Sequence, residues 1–292
     1  MRTGSSWLWS LGALAALATA SAPAQDRSED AKGSWLLGVG AQVDEEANDS
    51  VLATLDVGVA DSTWLSLTTG RSTSPADRAD IEANTLVLGV DHRFAKVGFT
   101  LEAEKWGDSG VLETQDLAGS VYFDRESWRI GFRYEARDID IPFTVTGPLG
   151  NTFQRSVNVD ADRYSLDARV ALAEHWQLYL GVAEYNYSRN LRVLPRIDAL
   201  NMLSTSTLTL ANSFIDHERS IGAEREIGQS LLNMRFATDR SAVDGSKLET
   251  FELSGLVPVG GRIDLEINLG RGRSDFIDAG LYGGLLLLIY SR

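Results

Sequence analysis

No cysteine occurs among the 292 residues, so neither a disulfide framework nor attachment through a lipidated cysteine is open to this chain. Positive charge is scarce: 27 Lys and Arg stand against 41 Asp and Glu, a formal net charge of −14. That balance argues against nucleic acid as a partner and leaves no polybasic patch for a membrane surface. Histidine is rarer still, with only His92, His175 and His217. No cluster of His and carboxylates has metal-ligand spacing, and neither a metal nor a cofactor is expected. Gly38-Val39-Gly40 and Gly270-Arg271-Gly272 are not phosphate loops, because Val43 and Asp275 occupy the third glycine position and no helix follows. Beyond residue 20 there is also no apolar run long enough for a membrane-spanning helix.

What is present begins with an export signal. Arg2 is the only charge before the apolar stretch Trp7 to Ala20, and Ala22-Pro23-Ala24 supplies a small-x-small cleavage pattern. The stretch is short for a bilayer span and gives way to the polar run Gln25 to Lys32. Residues 1–24 are therefore read as a cleaved signal peptide, 25–32 as a short N-terminal segment, and 33–292 as one domain.

The dominant pattern in that domain is period-two alternation in segments of about ten residues. In the clearest case Ile263, Leu265, Ile267 and Leu269 share one face, while Arg262, Asp264, Glu266 and Asn268 share the other. Trp128, Ile130, Phe132 and Tyr134 oppose Arg129, Gly131, Arg133 and Glu135 in the same way. Strands are expected near 33–43, 50–60, 62–71, 82–94, 96–106, 111–123, 127–147, 151–172, 175–189, 205–226, 228–238, 247–258, 261–272 and 278–290. That makes fourteen, with twelve or sixteen as alternatives, arranged as a closed antiparallel transmembrane β-barrel. Connections alternate between tight turns, as at Asp61-Ser62 and Gly228-Gln229, and longer polar loops, as at Thr73 to Asp80. An even count puts both termini on the tight-turn side. Asp138 to Asp160, with the turn signal Gly147-Pro148-Leu149-Gly150-Asn151, reads as a hairpin standing above the membrane. Arg189 to Asp216 is open to three readings: a second tall hairpin, a loop folded into the lumen, or a short helix near 197–203. Glu184 breaks the apolar face of its strand, so a β-bulge near Ala183 or emergence above the membrane is expected there.

Aromatic residues cluster beside the tight turns. Trp35, Trp64, Phe94, Phe123, Trp128 and Trp176 are expected to form an interfacial girdle at that end, with Trp106, Tyr185 and Tyr187 as candidates for the opposite ring.

The last strand, Tyr282-Gly283-Gly284-Leu285-Leu286-Leu287-Leu288-Ile289-Tyr290, resembles the C-terminal signal read by the outer-membrane assembly machinery, with Tyr282, Gly284, Leu287 and Ile289 in its places. With the export signal and the alternation, the whole domain resembles Gram-negative outer-membrane barrel proteins of the porin-like kind. The resemblance implies short periplasmic turns, long extracellular loops and an outer-membrane location. It also implies contact with outer-membrane lipid and lipopolysaccharide, and with the barrel-assembly machinery during biogenesis.

A barrel of fourteen strands is wide enough for a water-filled passage. Asp91, Glu102, Glu104 and Asp116 are expected inward from the fourth to sixth strands, and Arg129, Arg133, Arg137, Arg163 and Arg169 from the seventh and eighth, with Glu135 and Asp167 among them. Arg262, Asp264 and Glu266 line the thirteenth. Two readings of these charges stay open: a transverse field that selects among ions and small polar solutes, or a network of cross-strand pairs that stiffens the wall. Passive passage of ions or small polar solutes is the expected function, by a monomer or small oligomer. The alternatives are a surface hydrolase, for which Asp216-His217 resembles the Asp–His pair of omptin-type proteases, and a structural or adhesive barrel.

Overall fold

In the computed structural model, residues 32–45, 48–74, 81–108, 112–146, 151–189, 191, 214–243, 245–274 and 280–291 are described. The expected signal peptide and the possible helix at 197–203 lie outside them. The strands are Trp35–Asp44 (β1), Asp49–Ala60 (β2), Thr63–Ser74 (β3), Ile81–Phe94 (β4), Val97–Asp108 (β5), Leu112–Arg125 (β6) and Trp128–Thr146 (β7). They continue with Thr152–Ala173 (β8), Trp176–Tyr187 (β9), Ile215–Ile227 (β10), Ser230–Ser241 (β11), Lys247–Gly260 (β12), Ile263–Ser274 (β13) and Gly280–Tyr290 (β14). All fourteen expected strands are present. The described part of the tenth begins at Ile215 rather than near 205.

Each strand pairs antiparallel with its sequence neighbours, and β1 closes on β14 from Leu36↔Tyr290 to Asp44↔Tyr282. Closure leaves no sheet edge, which is what a sheet needs before it can cross a bilayer. Among the described residues no helix is long and apolar enough to cross a membrane; a barrel would cross with its strands.

Register decides which face each residue joins. In the row Phe132↔Leu166↔Val182 all three side chains point outward and are about half exposed, at 50%, 51% and 51%. The neighbouring row Arg133↔Ser165↔Ala183 points inward. The outward face is a continuous apolar band. Exposing that many large apolar side chains to water would be an aggregation liability, whereas hydrocarbon accepts them.

Small residues admit large inward side chains. The Tyr282 ring lies flat on its register partner Gly270, and Tyr122 covers Gly98 in the same way; a Cβ on either glycine would overlap the ring. Gly270→Ala should therefore destabilise the barrel by about 1–3 kcal/mol through overpacking. Gly261→Ala, where a Cβ meets nothing within 4 Å, serves as the control in urea unfolding of the refolded protein. Equal midpoints for the two variants would remove the packing claim.

Two expectations need correction. Of the two readings offered for Glu184, the bulge is excluded, because β9 stays in register with β8 and β10 through Ala183. Glu184 faces outward opposite Tyr164 and His217, while Tyr185 and Tyr187 turn into the barrel. Register shifts fall instead at Gly58/Ala60, Ala171/Ala173, Ile215/His217 and Pro258/Gly260.

The aromatic residues divide accordingly. Trp35, Phe94, Phe123, Trp128 and Trp176 are outward at the tight-turn end, and Phe123 packs on Trp128 with ring centroids 5.4 Å apart. Trp64 does not join them. It pairs with Gly58 and Asp91 on the inner face, because Leu65 and Leu67 take the outward positions of β3. Trp106, Tyr185 and Tyr187 are likewise interior, and no outward ring is built from them. The outward tyrosines near the long-loop end are Tyr134 and Tyr164, 5.3 Å apart.

β7 and β8 remain paired to Thr146↔Thr152, beyond the last partners of β6 at Asp140 and of β9 at Ala161. The expected tall hairpin is thus present. Its inner face buries Ile139, Ile141 and Val159 in an apolar cluster with Trp106, Leu112, Leu191 and Phe214. Both described ends of the 190–213 segment, Leu191 and Phe214, are held in that cluster at the barrel mouth.

Candidate lumen site

Below this cluster the inner wall is charged. Register puts Glu102 and Glu104 of β5, Asp116 of β6, Arg129, Arg133, Glu135 and Arg137 of β7, and Arg163, Asp167 and Arg169 of β8 on the inward face. Asp91 joins them from β4. All the expected inward residues of these strands are therefore brought to one wall.

Arg137 is the centre of the network. Its Nε donates to both Asp116 oxygens at 3.0 Å, and its Nη2 reaches Asp116 Oδ2 at 2.7 Å and Glu135 Oε1 at 3.0 Å. Arg133 pairs with Glu102, two strands away, and lies 3.5 Å from Glu135. Arg163 donates to Glu218 of β10 at 2.8 Å and approaches Glu135 at 3.5 Å. Glu218 also accepts from Arg235 of β11 at 3.2 Å, and Arg169 lies 3.5 Å from Glu224. Tyr185 is inserted between Arg137 and Arg163, whose guanidinium carbons stand 5.5 and 5.2 Å from its ring centre. Cation–π attraction there adds to the ionic contacts.

Arg129 is placed differently. It lies over the Tyr122 ring at 3.7 Å, and the Tyr122 hydroxyl donates to Asp91 at 3.3 Å. Asp167 rests against the backbone of Gly131, its register partner. Glu104 makes no ion pair among the described residues. Each pair named above lies within one strand or joins strands one or two apart, so the network runs along the wall and not across the lumen.

The opposing arc is unlike this one. β13 stands seven places from β6 in the ring. There Glu252 accepts from Tyr282 at 3.4 Å, Asp264 accepts from Tyr290 at 3.4 Å, and Glu266 faces inward with no hydrogen bond or ion pair among the described residues. Among the described residues Asp264 and Glu266 have no arginine partner, while Glu252 stands directly across the β11–β12 ladder from Arg235 without a contact inside 4 Å. The arginine-rich arc is largely neutralised by its own acids, while on the far arc Asp264 and Glu266 have no arginine partner among the described residues. Arg262 is not part of either. It lies in the exposed turn before β13, since the strand begins at Ile263.

Glu218, Glu224, Arg235 and the inward tyrosines were not singled out by the sequence pattern. Parity counted from the Gly228-Gln229 turn would have placed the first three inward. The pairings of Glu218 with Arg163 and of Glu224 with Arg169, two strands away, follow only from the registers of the ladders between them.

The histidines form no catalytic arrangement among the described residues. His217 Nδ1 is 3.2 Å from Asp216 Oδ2, but His217 faces outward opposite Glu184. His92 packs outward against Phe94 and Phe99, and His175 sits in an exposed turn near Glu226. No group of three or more His, Asp or Glu able to hold a metal occurs among the described residues. A furrow of about 750 Å³ near the long-loop end is lined mainly by outward side chains, including Leu86, Leu88, Ala103, Leu117 and Ala136. It belongs to the outer wall of the barrel.

Neither a family model nor a curated protein matches the sequence. Among solved structures, the CymD monoaromatic hydrocarbon channel is similar over 89% of each chain, with a TM-score of 0.55 and 8% identity. OccAB1 of Acinetobacter baumannii is similar over 90% of this chain and 98% of that one, with a TM-score of 0.46 and 9% identity. The KdgM porin in complex with disordered oligogalacturonate gives 88% and 99%, a TM-score of 0.44 and 7% identity. The first likeness establishes the fold alone. The lower scores of the other two carry no further weight.

Proposed function

We propose that this chain is an exported outer-membrane channel that passes ions or small polar solutes by diffusion. On this reading residues 1–24 are removed, the tight turns and both termini are periplasmic, and β14 carries the assembly signal. The observation that carries the reading is a closed fourteen-strand wall, apolar outside and charged inside, whose ion pairs run round the lumen rather than across it. A wall of that kind keeps charge in place beside a passage, where it acts on solutes at short range.

Selectivity follows from which charges are left over. Among the described residues Asp264 and Glu266 lack arginine partners, so cations are favoured. In a planar bilayer under a salt gradient, the refolded protein should give discrete conductance and a cation-selective reversal potential. The double variant Glu252→Gln/Glu266→Gln should lower that preference. Replacing Arg129, Arg133 and Arg163 with neutral residues should raise it, because three positive charges leave the wall, Glu102 loses its partner and Glu218 keeps only Arg235. A protein confirmed as folded that shows no conductance would end the open-channel reading; unchanged reversal potentials would take these residues out of the pathway.

A further inference from the structure

Register brings Asn268 of β13, Gly284 of β14 and Gln42 of β1 side by side on the inner face. Gly284 lets the two amide side chains converge: a Cβ there would stand 2.7 Å from Asn268 Oδ1 and 3.2 Å from Gln42 Cβ. Gln42 and Asn268 are each only 3% exposed, yet Gln42 Nε2, Gln42 Oε1 and Asn268 Oδ1 have no hydrogen-bond partner among the described residues. A buried polar atom left unmatched is costly, and three of them in one row call for a partner from outside the chain. The next row toward the tight-turn end runs Leu256, Glu266, Leu286, Gly40 and Leu52, all inward. Glu266 is 8% exposed, stands between two leucines and has no ion pair or hydrogen bond among the described residues. It lies about 7 Å from Asn268, two residues along the same strand.

A carboxylate without a cation calls for positive charge. Gln42 presents a donor and an acceptor together, which a hydroxyl matches because it both gives and takes a hydrogen bond. On β14, between the strands that carry Glu266 and Gln42, Leu286 offers a surface that suits hydrocarbon and not the water shell of a metal ion. We infer that Gln42, Asn268 and Glu266 bind a small amino alcohol, a primary ammonium and a hydroxyl joined by a short hydrocarbon linker. The ammonium donates to Glu266 and to Asn268 Oδ1, the linker crosses Leu286, and the hydroxyl meets the Gln42 amide. The inference deepens the channel reading by naming a class of solute, and it rests on that reading for access to the inner face.

The test is a titration by saturation-transfer NMR on the full refolded barrel in detergent, which needs no conducting pore. The probe is aminobutanol with its amine and hydroxyl at opposite ends. It should bind, while butanediol, which lacks the charge, and butylammonium, which lacks the hydroxyl, should bind more weakly. Glu266→Gln should weaken aminobutanol binding by about tenfold or more, the loss of one charge-assisted hydrogen bond. Asp264→Asn removes the same charge one row away; it should lower the cation preference of the channel but move aminobutanol affinity by less than about twofold, because the contact is local. Gln42→Leu should abolish the preference for aminobutanol over butylammonium and leave butylammonium affinity as it was. It gives up no hydrogen bond, so its urea midpoint should not fall below the parent's. No binding of aminobutanol, equal losses from Glu266→Gln and Asp264→Asn, or a preference for aminobutanol that survives Gln42→Leu overturns the inference. Conductance without binding would remove the site and keep the channel; binding without conductance would do the reverse. Heat-modifiable gel migration checks that every variant has folded.

Discussion

Arg137→Met is expected to destabilise the barrel by about 3–5 kcal/mol, the usual cost of removing one partner from a buried ion pair. The Arg137 side chain is 9% exposed, and those of Asp116 and Glu135 are 4% exposed, so water does little to screen the contacts. The two carboxylates differ in what the substitution leaves them. Glu135 keeps Arg133 and Arg163, each at 3.5 Å. Asp116 keeps no cation among the described residues, and its buried charge is the source of most of the loss. Adding Asp116→Asn should therefore recover a large part of the stability, and a double-mutant cycle measures how much. Urea unfolding of protein refolded into phospholipid vesicles, followed by tryptophan fluorescence, gives the numbers. A single variant within about 1 kcal/mol of the parent would mean that the centre of the network contributes little.

Leu166→Arg addresses the outer face. Leu166 sits mid-strand on β8 between Phe132 and Val182, outward and 51% exposed. In water such a residue tolerates arginine within roughly 0.5 kcal/mol. In hydrocarbon an arginine near the midplane costs about 2–4 kcal/mol, falling to 0–1 near the interface. The expected outcome is a loss in the higher range for Leu166→Arg and almost none for Asn186→Arg, at the long-loop end of β9. Equal unfolding midpoints in vesicles would show that the outward band is not held in lipid.

The two faces of the barrel were legible to different degrees. Period-two alternation placed all fourteen strands and nearly every inward charge of β4–β8, because a strand's side chains must take opposite sides. The same rule, applied through depth instead of parity, misplaced Trp64. Its distance from the Asp61-Ser62 turn matches that of the girdle residues, yet its position in the alternation puts it inside. Tyr185 and Tyr187 were misread for a related reason. The break at Glu184 left a β-bulge and emergence above the membrane open, and the unbroken register through Ala183 excludes the bulge. Two readings of the inward charges stood open, a transverse field or a network of cross-strand pairs. The structure contains the pairs, with Asp264 and Glu266 left without arginine partners among the described residues on the opposite arc.

The sequence by itself determined that the chain is a closed, even-stranded antiparallel barrel, that charge lines its interior, and where its strands turn. Local alternation and turn chemistry suffice for those features, since each depends on residues a few positions apart. Only the tertiary structure decided the strand number over twelve or sixteen, the inward turn of Trp64 and Tyr185, and the pairing of Arg163 with Glu218 or Arg133 with Glu102. These partners lie two strands apart, and their heights match only through the register of every ladder between them. Closure sets that register, and no stretch of sequence read alone contains it.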